Sequence, residues 1–380
     1  MNVAVQYFPV LAIFIVGILL FYGLASYLIS QSPSVGSDVS NNTSNYVYRA
    51  GPTNITPYYL YCIGGIGTEN VGMMNSTYYA QILNNGSISP WRASTPYKYS
   101  VGESSCIYNN GTVHCIGGYN ETSLVTEECW KRASGNWSWN CNTYPKNTTF
   151  SSCVWYNSTA YCAVGLIVIN NAQRFSNLSY FAKIGMNGNI TNWGRSSNYP
   201  VITWGTSCAS SGSTVYCIGG YRNNTEKAEE VLNNAYYATL TGNGILQWTP
   251  TTQYPVNISD PSCFVDSGHV YCVGGMTGTN SSLPASTNLS YYAPITQTGL
   301  GQWRATTGYP TSEVGSSCQD ISGRVYCIGG GVFGGGGMPP NPFTYSFSAN
   351  ISSDGIGQWK SINNYPVNAL YSSCVTTNQA

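Results

Sequence analysis

SSCQDISGRVYCIGG, residues 316–330, holds two cysteines nine positions apart, a polar turn between them and a glycine pair at its end. The same phrase recurs as ESSCIYNNGTVHCIGG at 103–118, SSCVWYNSTAYCAVG at 151–165, TSCASSGSTVYCIGG at 206–220 and PSCFVDSGHVYCVGG at 261–275. A second phrase, Trp followed six residues later by Tyr-Pro, travels with it at Trp193, Trp248, Trp303 and Trp359. Trp91 reaches Tyr97 at the same spacing without the proline, and Trp139 reaches Tyr144-Pro145 one residue sooner. Each of these tyrosines stands nine residues before the next first cysteine. Self-similarity at a period of roughly 50 residues marks a repeat architecture.

Within a repeat, the first cysteine lies in an apolar run, a polar or Gly-containing turn follows, and V-Y-C-I-G-G makes the partner run of a hairpin. An aromatic run comes next (TYYA at 77, YFA at 180, YYA at 236 and 291), and then a strand carrying Trp. One repeat is therefore a four-stranded antiparallel sheet. Such a sheet cannot bury both faces alone, and stacking the sheets in a ring leaves only short edges.

These elements resemble the kelch β-propeller family. The likeness rests on the glycine pairs 64–65, 117–118, 219–220, 274–275 and 329–330, on the aromatic strand after each, and on Trp at the matching distance. It spans residues 58–377 six times over, and it departs from the family at Gly165, which stands without its pair, and in the systematic cysteines. It implies an all-β, six-bladed β-propeller of four-stranded blades. The first phrase is incomplete, because YYLYCIGG before residue 66 is only a second strand, while YSSCVTT at 371–377 is a first strand with nothing after it. The two ends are expected to complete one composite blade, with a Cys62–Cys374 bond. The repeat spacing then pairs Cys106–Cys115, Cys153–Cys162, Cys208–Cys217, Cys263–Cys272 and Cys318–Cys327, and leaves Cys129 to pair with Cys141. A metal reading fails, since there is no C-x2-C and the two histidines, His114 and His269, occupy different repeat positions. Neither a metal nor a cofactor is expected.

Seven disulfides require an oxidising compartment. The uncharged run from Phe8 to Ile29 is long enough to span a bilayer. A cleaved signal peptide is its rival. The length of the run, the lack of a basic flank and the absence of a clean A-x-A site favour a retained helix. The organisation expected is a transmembrane anchor at 1–30, a Ser/Asn-rich stalk at 31–57 and the propeller at 58–380, with the propeller extracellular and the chain single-pass in the cell membrane. Charged residues make up 7% of the chain and the net charge is zero. Ordinary domains have about 25%. Seventeen N-x-S/T sequons lie at Asn41, Asn42, Asn54, Asn75, Asn85, Asn110, Asn120, Asn136, Asn147, Asn157, Asn177, Asn189, Asn223, Asn257, Asn280, Asn288 and Asn350. Glycans are expected to supply the solubility that charge usually gives. So few ionisable groups also predict a stability almost independent of pH.

No catalytic motif emerges. Glu127-Glu128 and Glu229-Glu230 are the adjacent carboxylate pairs and read as solvated strand edges, the Gly-rich 329–343 lacks the Lys of a phosphate loop, and no basic run suggests nucleic acid. Binding is the expected function, through the loops between second and third strands, which vary while other spacings hold. Tyr119, Tyr221, Arg222, Met276, Phe333 and Met338 are the candidate contacts. The partner would be a cell-surface protein or glycan. The alternatives are a structural subunit of a surface coat or filament, built from copies of the chain, and a carbohydrate-active enzyme.

Overall fold

The computed structural model describes residues 57–67, 72–120, 123–133, 138–169, 172–224, 227–278, 284–333 and 341–378. The expected anchor helix and the stalk before residue 57 lie outside them. Among the described residues no helix is long and apolar enough to cross a membrane.

Each cysteine phrase forms an antiparallel hairpin. Ser105–Asn109 pairs with Thr112–Ile116, Ser152–Tyr156 with Thr159–Ile169, Ser207–Ser211 with Thr214–Ile218, Ser262–Asp266 with His269–Val273, and Val314–Ile321 with Arg324–Val332. The sixth hairpin joins the two ends of the propeller: Tyr59–Ile63 pairs with Ser373–Thr377, in a register that sets Cys62 opposite Cys374. All seven expected disulfides are present, and Cys129–Cys141 crosses the third and fourth strands of the second repeat. The aromatic runs are the third strands. The fourth strands are shorter than the Trp phrase suggests, only two residues at Arg92–Ala93, Thr249–Pro250, Arg304–Ala305 and Lys360–Ser361. A short outer strand offers little open edge to another chain.

Three contacts recur from one repeat to the next and explain the repeated words of the sequence. The serine before each first cysteine accepts the amide of the next repeat's cysteine at 2.9–3.1 Å: Ser105 from Cys153, Ser152 from Cys208, Ser207 from Cys263, Ser262 from Cys318, Ser317 from Cys374, and Ser373 from Cys106. These six bonds run in one rotational sense and return to their start, which closes the chain into a β-propeller. Each Trp stands edge-on to the Tyr of the preceding Tyr-Pro position, at 4.6–5.0 Å, from Trp139 on Tyr97 around to Trp91 on Tyr365. That geometry suits aromatic quadrupoles and makes the outer layer of the core. Finally, the second glycine of each pair donates its amide to the carbonyl four residues after such a Tyr, as Gly220 does to Ile258 O at 2.8 Å. The first glycine has φ of 62–69° in five repeats, and a Cβ on Gly219 would collide with that same carbonyl. Glycine is required here by both conformation and close approach.

The sheets are not all separate four-stranded units. Beyond the bulge between Ala163 and Gly165, the third repeat's hairpin continues to Ile169. There Leu166 and Ile167 pair with Thr149 and Thr148, fusing the second and third repeats into one nine-stranded sheet. The missing first glycine of this repeat is Val164, at φ 58°. It sits where the strand bulges and carries on past the turn that the glycine pairs make elsewhere.

Candidate functional site

The three residues before each first cysteine converge on the propeller axis, where they line a cavity of about 170 Å³. The outermost of the three is Glu103, Phe150, Gly205, Asp260, Gly315 or Tyr371, and all six have φ between 52° and 69°. The cause is a chain of inter-repeat hydrogen bonds around the axis. Glu103 N–H donates to Tyr371 O, Phe150 N–H to Glu103 O, Asp260 N–H to Gly205 O and Tyr371 N–H to Gly315 O, at 2.6–3.2 Å. Four of the six positions hold side chains that resist this conformation, and those side chains are the functional groups of the cavity.

Below them the wall is mostly serine hydroxyl. Ser151 Oγ donates to Val164 O and Thr206 Oγ1 to Gly219 O. Glu103 is buried, and burial pushes its carboxyl up to about 8 although Thr149 Oγ1 donates to it at 2.9 Å. Burial likewise raises Asp260 to about 7. Glu313, wholly enclosed against Gly274 and Gly330, rises to about 8 by burial, partly offset by the Ser316 N–H on its Oε2 at 3.1 Å. Near neutral pH the Glu103 carboxyl therefore favours its protonated form, able to donate as well as accept, whereas Glu313 is not among the residues that line the cavity. Phe150 packs edge-on against Tyr371 at 5.3 Å and lies 4.5 Å from Trp204. The site is hydroxyl-rich, close to neutral and flanked by aromatic rings. These buried acids argue against a pH-independent stability, since each is held above its ordinary range by burial.

The loops expected to carry binding do stand on this face, because the residue after each glycine pair bridges to the residue just outside the axial ring: Gly102 to Tyr119, Trp204 to Tyr221 and Ser259 to Met276. That pairing buries Tyr221 and Met276, so these two are not the exposed contacts expected. Tyr221 is 4% exposed against Trp204, and Met276 is 5% exposed in a cluster with Ile66, Val314 and Leu370. Tyr119 and Phe333 are half-buried beside these clusters. Arg222 is held by Glu230, its Nε 2.8 Å from Oε2. Met338 lies outside the described residues. Glu128 corrects the solvated-edge reading: it is wholly buried, 2.8 Å from His114 Nδ1. Glu127, by contrast, meets Lys98 at the surface. Among the described residues one group of potential metal ligands comes within 4.8 Å, Glu127 with Cys129 and Cys141. Its two sulfurs are joined in a disulfide and offer no thiolate.

Sequence reasoning missed Glu103, Asp260, Glu313 and the serine before each cysteine. The serine was legible as a repeated word, whereas the axial acids sit at positions whose residue type changes from repeat to repeat.

No family model matches the chain, and no curated protein matches it. Among solved structures, one described as "Structure of YjhT" superposes with a TM-score of 0.61, covering 79% of this chain and 96% of that one at 12% identity. At that identity the likeness concerns the fold alone, and it agrees with a β-propeller.

Proposed function

We propose that the chain is a membrane-anchored, extracellular glycoprotein with a six-bladed, kelch-type propeller, and that it binds an uncharged, hydroxyl-rich ligand such as a cell-surface glycan at the axial cavity. The observation that carries the binding reading is the cavity itself: acid and serine groups able to donate and accept, beside the rings of Phe150 and Tyr371, on the face that carries the variable loops. Mostly apolar walls with a few convergent polar groups are the usual make-up of ligand sites, and a polar lining of this kind suits a sugar. The blade count is supported by the six serine-to-cysteine bonds, with the nine-stranded sheet counted as two blades. The glycoprotein reading is supported by the sequon asparagines. None of Asn75, Asn85, Asn110, Asn120, Asn147, Asn157, Asn177, Asn189, Asn257, Asn288 and Asn350 is buried.

The test is a glycan array probed with the full-length chain in detergent, followed by titration calorimetry on any hit. Glu103→Ala with Asp260→Ala, which remove the donating and accepting groups, should weaken a hit about tenfold or more, the scale of one or two lost hydrogen bonds to a strongly polar group. Binding that survives this double variant would move the site off the axis. The absence of any glycan binding, together with an ordered lattice of the chain in native membranes, would favour a coat subunit.

A further inference from the structure

Aligned by their cysteines, the repeats share one position on the third strand, opposite the residue two before the second cysteine. Five repeats place alanine there, Ala80, Ala182, Ala238, Ala293 and Ala349, and all five are buried. The second repeat places Lys131, paired with Val113 and also fully buried. Its Nζ lies 5.5 Å from the ring centre of Tyr61 and 5.9 Å from that of Trp139, and 3.1 Å from Ser94 Oγ. Ser94 Oγ in turn lies 2.7 Å from the Tyr61 hydroxyl. No carboxylate among the described residues is within ion-pair reach of Lys131.

An ammonium group in such a place is costly, because burial without an anion favours the free amine. Burial lowers Lys131 to about 8. The neighbours depart from the repeat pattern as well. Tyr161 and Tyr271, which correspond to Tyr61, donate to the backbone carbonyls of Thr241 and Ser352. Thr251 and Thr306, which correspond to Ser94, accept backbone amides of the following repeat. Here the hydroxyl and the phenol are turned instead toward each other and toward an amine. The Cys129–Cys141 disulfide fixes the same strand two residues away.

We propose that Ser94, Lys131 and Tyr61 form an acyl-accepting centre between the first and second repeats, with a carboxylic ester as its substrate class. Lys131 as free amine takes the Ser94 proton while Oγ bonds to the ester carbonyl carbon. Collapse of that adduct breaks the bond to the alkoxy oxygen, which takes the proton back from Lys131 and departs as the alcohol, leaving the acyl group on Ser94. Tyr61 orients Oγ through its hydroxyl. A serine paired with a lysine base is an established form of the activated nucleophile. Ser94 is partly exposed, whereas Lys131 and Tyr61 are enclosed, so any approach to Oγ is from the Ser94 side. The centre is separate from the axial cavity and independent of the binding reading.

The experiment treats the full-length chain with an alkyl fluorophosphonate and locates the adduct by peptide mass spectrometry. Attack by Oγ forms the O–P bond, breaks P–F and releases fluoride, with the proton passing to Lys131. The expected result is an adduct on Ser94 that forms faster as pH rises from 6 to 9. In Lys131→Ala, which restores the alanine of five other repeats, the rate should fall by about a hundredfold or more. Lys131→Met, which keeps the aliphatic stem, provides the same comparison should the alanine variant fold poorly. No adduct on Ser94 across that pH range, or an equal rate in a folded Lys131 variant, would overturn the proposal.

Discussion

Glu103, Asp260 and Glu313 show how three side chains can dominate the response of a nearly uncharged protein to pH. In the unfolded chain these carboxyls titrate at about 4. In the fold, burial holds them at about 8, 7 and 8. Between those values the folded chain retains protons that the unfolded chain has released. Their contribution to stability is therefore full below about pH 4 and is lost as pH rises through about 7 to 8. We expect the urea midpoint to be higher at pH 5 than at pH 9, each group contributing on the order of a few kcal/mol to the difference in unfolding free energy. Glu103→Gln, which keeps the neutral shape, should flatten the dependence and gain its stability at the alkaline end. A midpoint that rises from pH 5 to pH 9 would contradict this account.

At the scale of the element, the glycine corner after each second cysteine is the point where one repeat's hairpin meets the next repeat's carbonyl. Gly219→Ala places a Cβ into Ile258 O while forcing alanine to φ 69°. The left-handed conformation costs roughly 1–2 kcal/mol, and the overlap adds about 1–3 more. A loss of about 3 kcal/mol in denaturant unfolding under oxidising conditions is expected, and an effect under 1 kcal/mol would mean the corner can open freely. This corner, the hairpins and five of the disulfides were readable in the sequence because each repeats a local word at fixed spacing, while Cys62–Cys374 followed from the half-phrases at the two ends and Cys129–Cys141 from the cysteines left over. The axial site was not, because Glu103 and Asp260 owe their role to a backbone conformation and to convergence from distant repeats. Tyr221 and Met276 read as loop contacts because nothing local shows that the residue after the glycines is paired across to Trp204 or Ser259. Lys131 was within reach of the sequence, once the alanines of the third strands were aligned.

At the scale of the whole molecule, the ring is closed by Cys62–Cys374, whose sequence separation is 312, whereas the bond Cys208–Cys217 has a separation of nine. In the chain-entropy account the longer loop is worth about 5–6 kcal/mol and the shorter about 2.6. Replacing both cysteines of each pair by alanine should reproduce that order, with the Cys62/Cys374 variant losing about twice as much as the Cys208/Cys217 variant. Equal losses would show that loop length does not govern what these bonds contribute.

The strand shared by the two ends also imposes a timetable. At about 5–20 residues per second of synthesis, the partner of Cys62 emerges roughly 15–60 s after it, whereas the partners of the next five first cysteines and of Cys129 follow within a few seconds. Cys62 is therefore the one thiol that must stay unpaired while the rest of the protein oxidises around it. Any oxidant acting early threatens to commit it to Cys106 before Cys115 arrives, and the nine-residue spacing elsewhere keeps that window short.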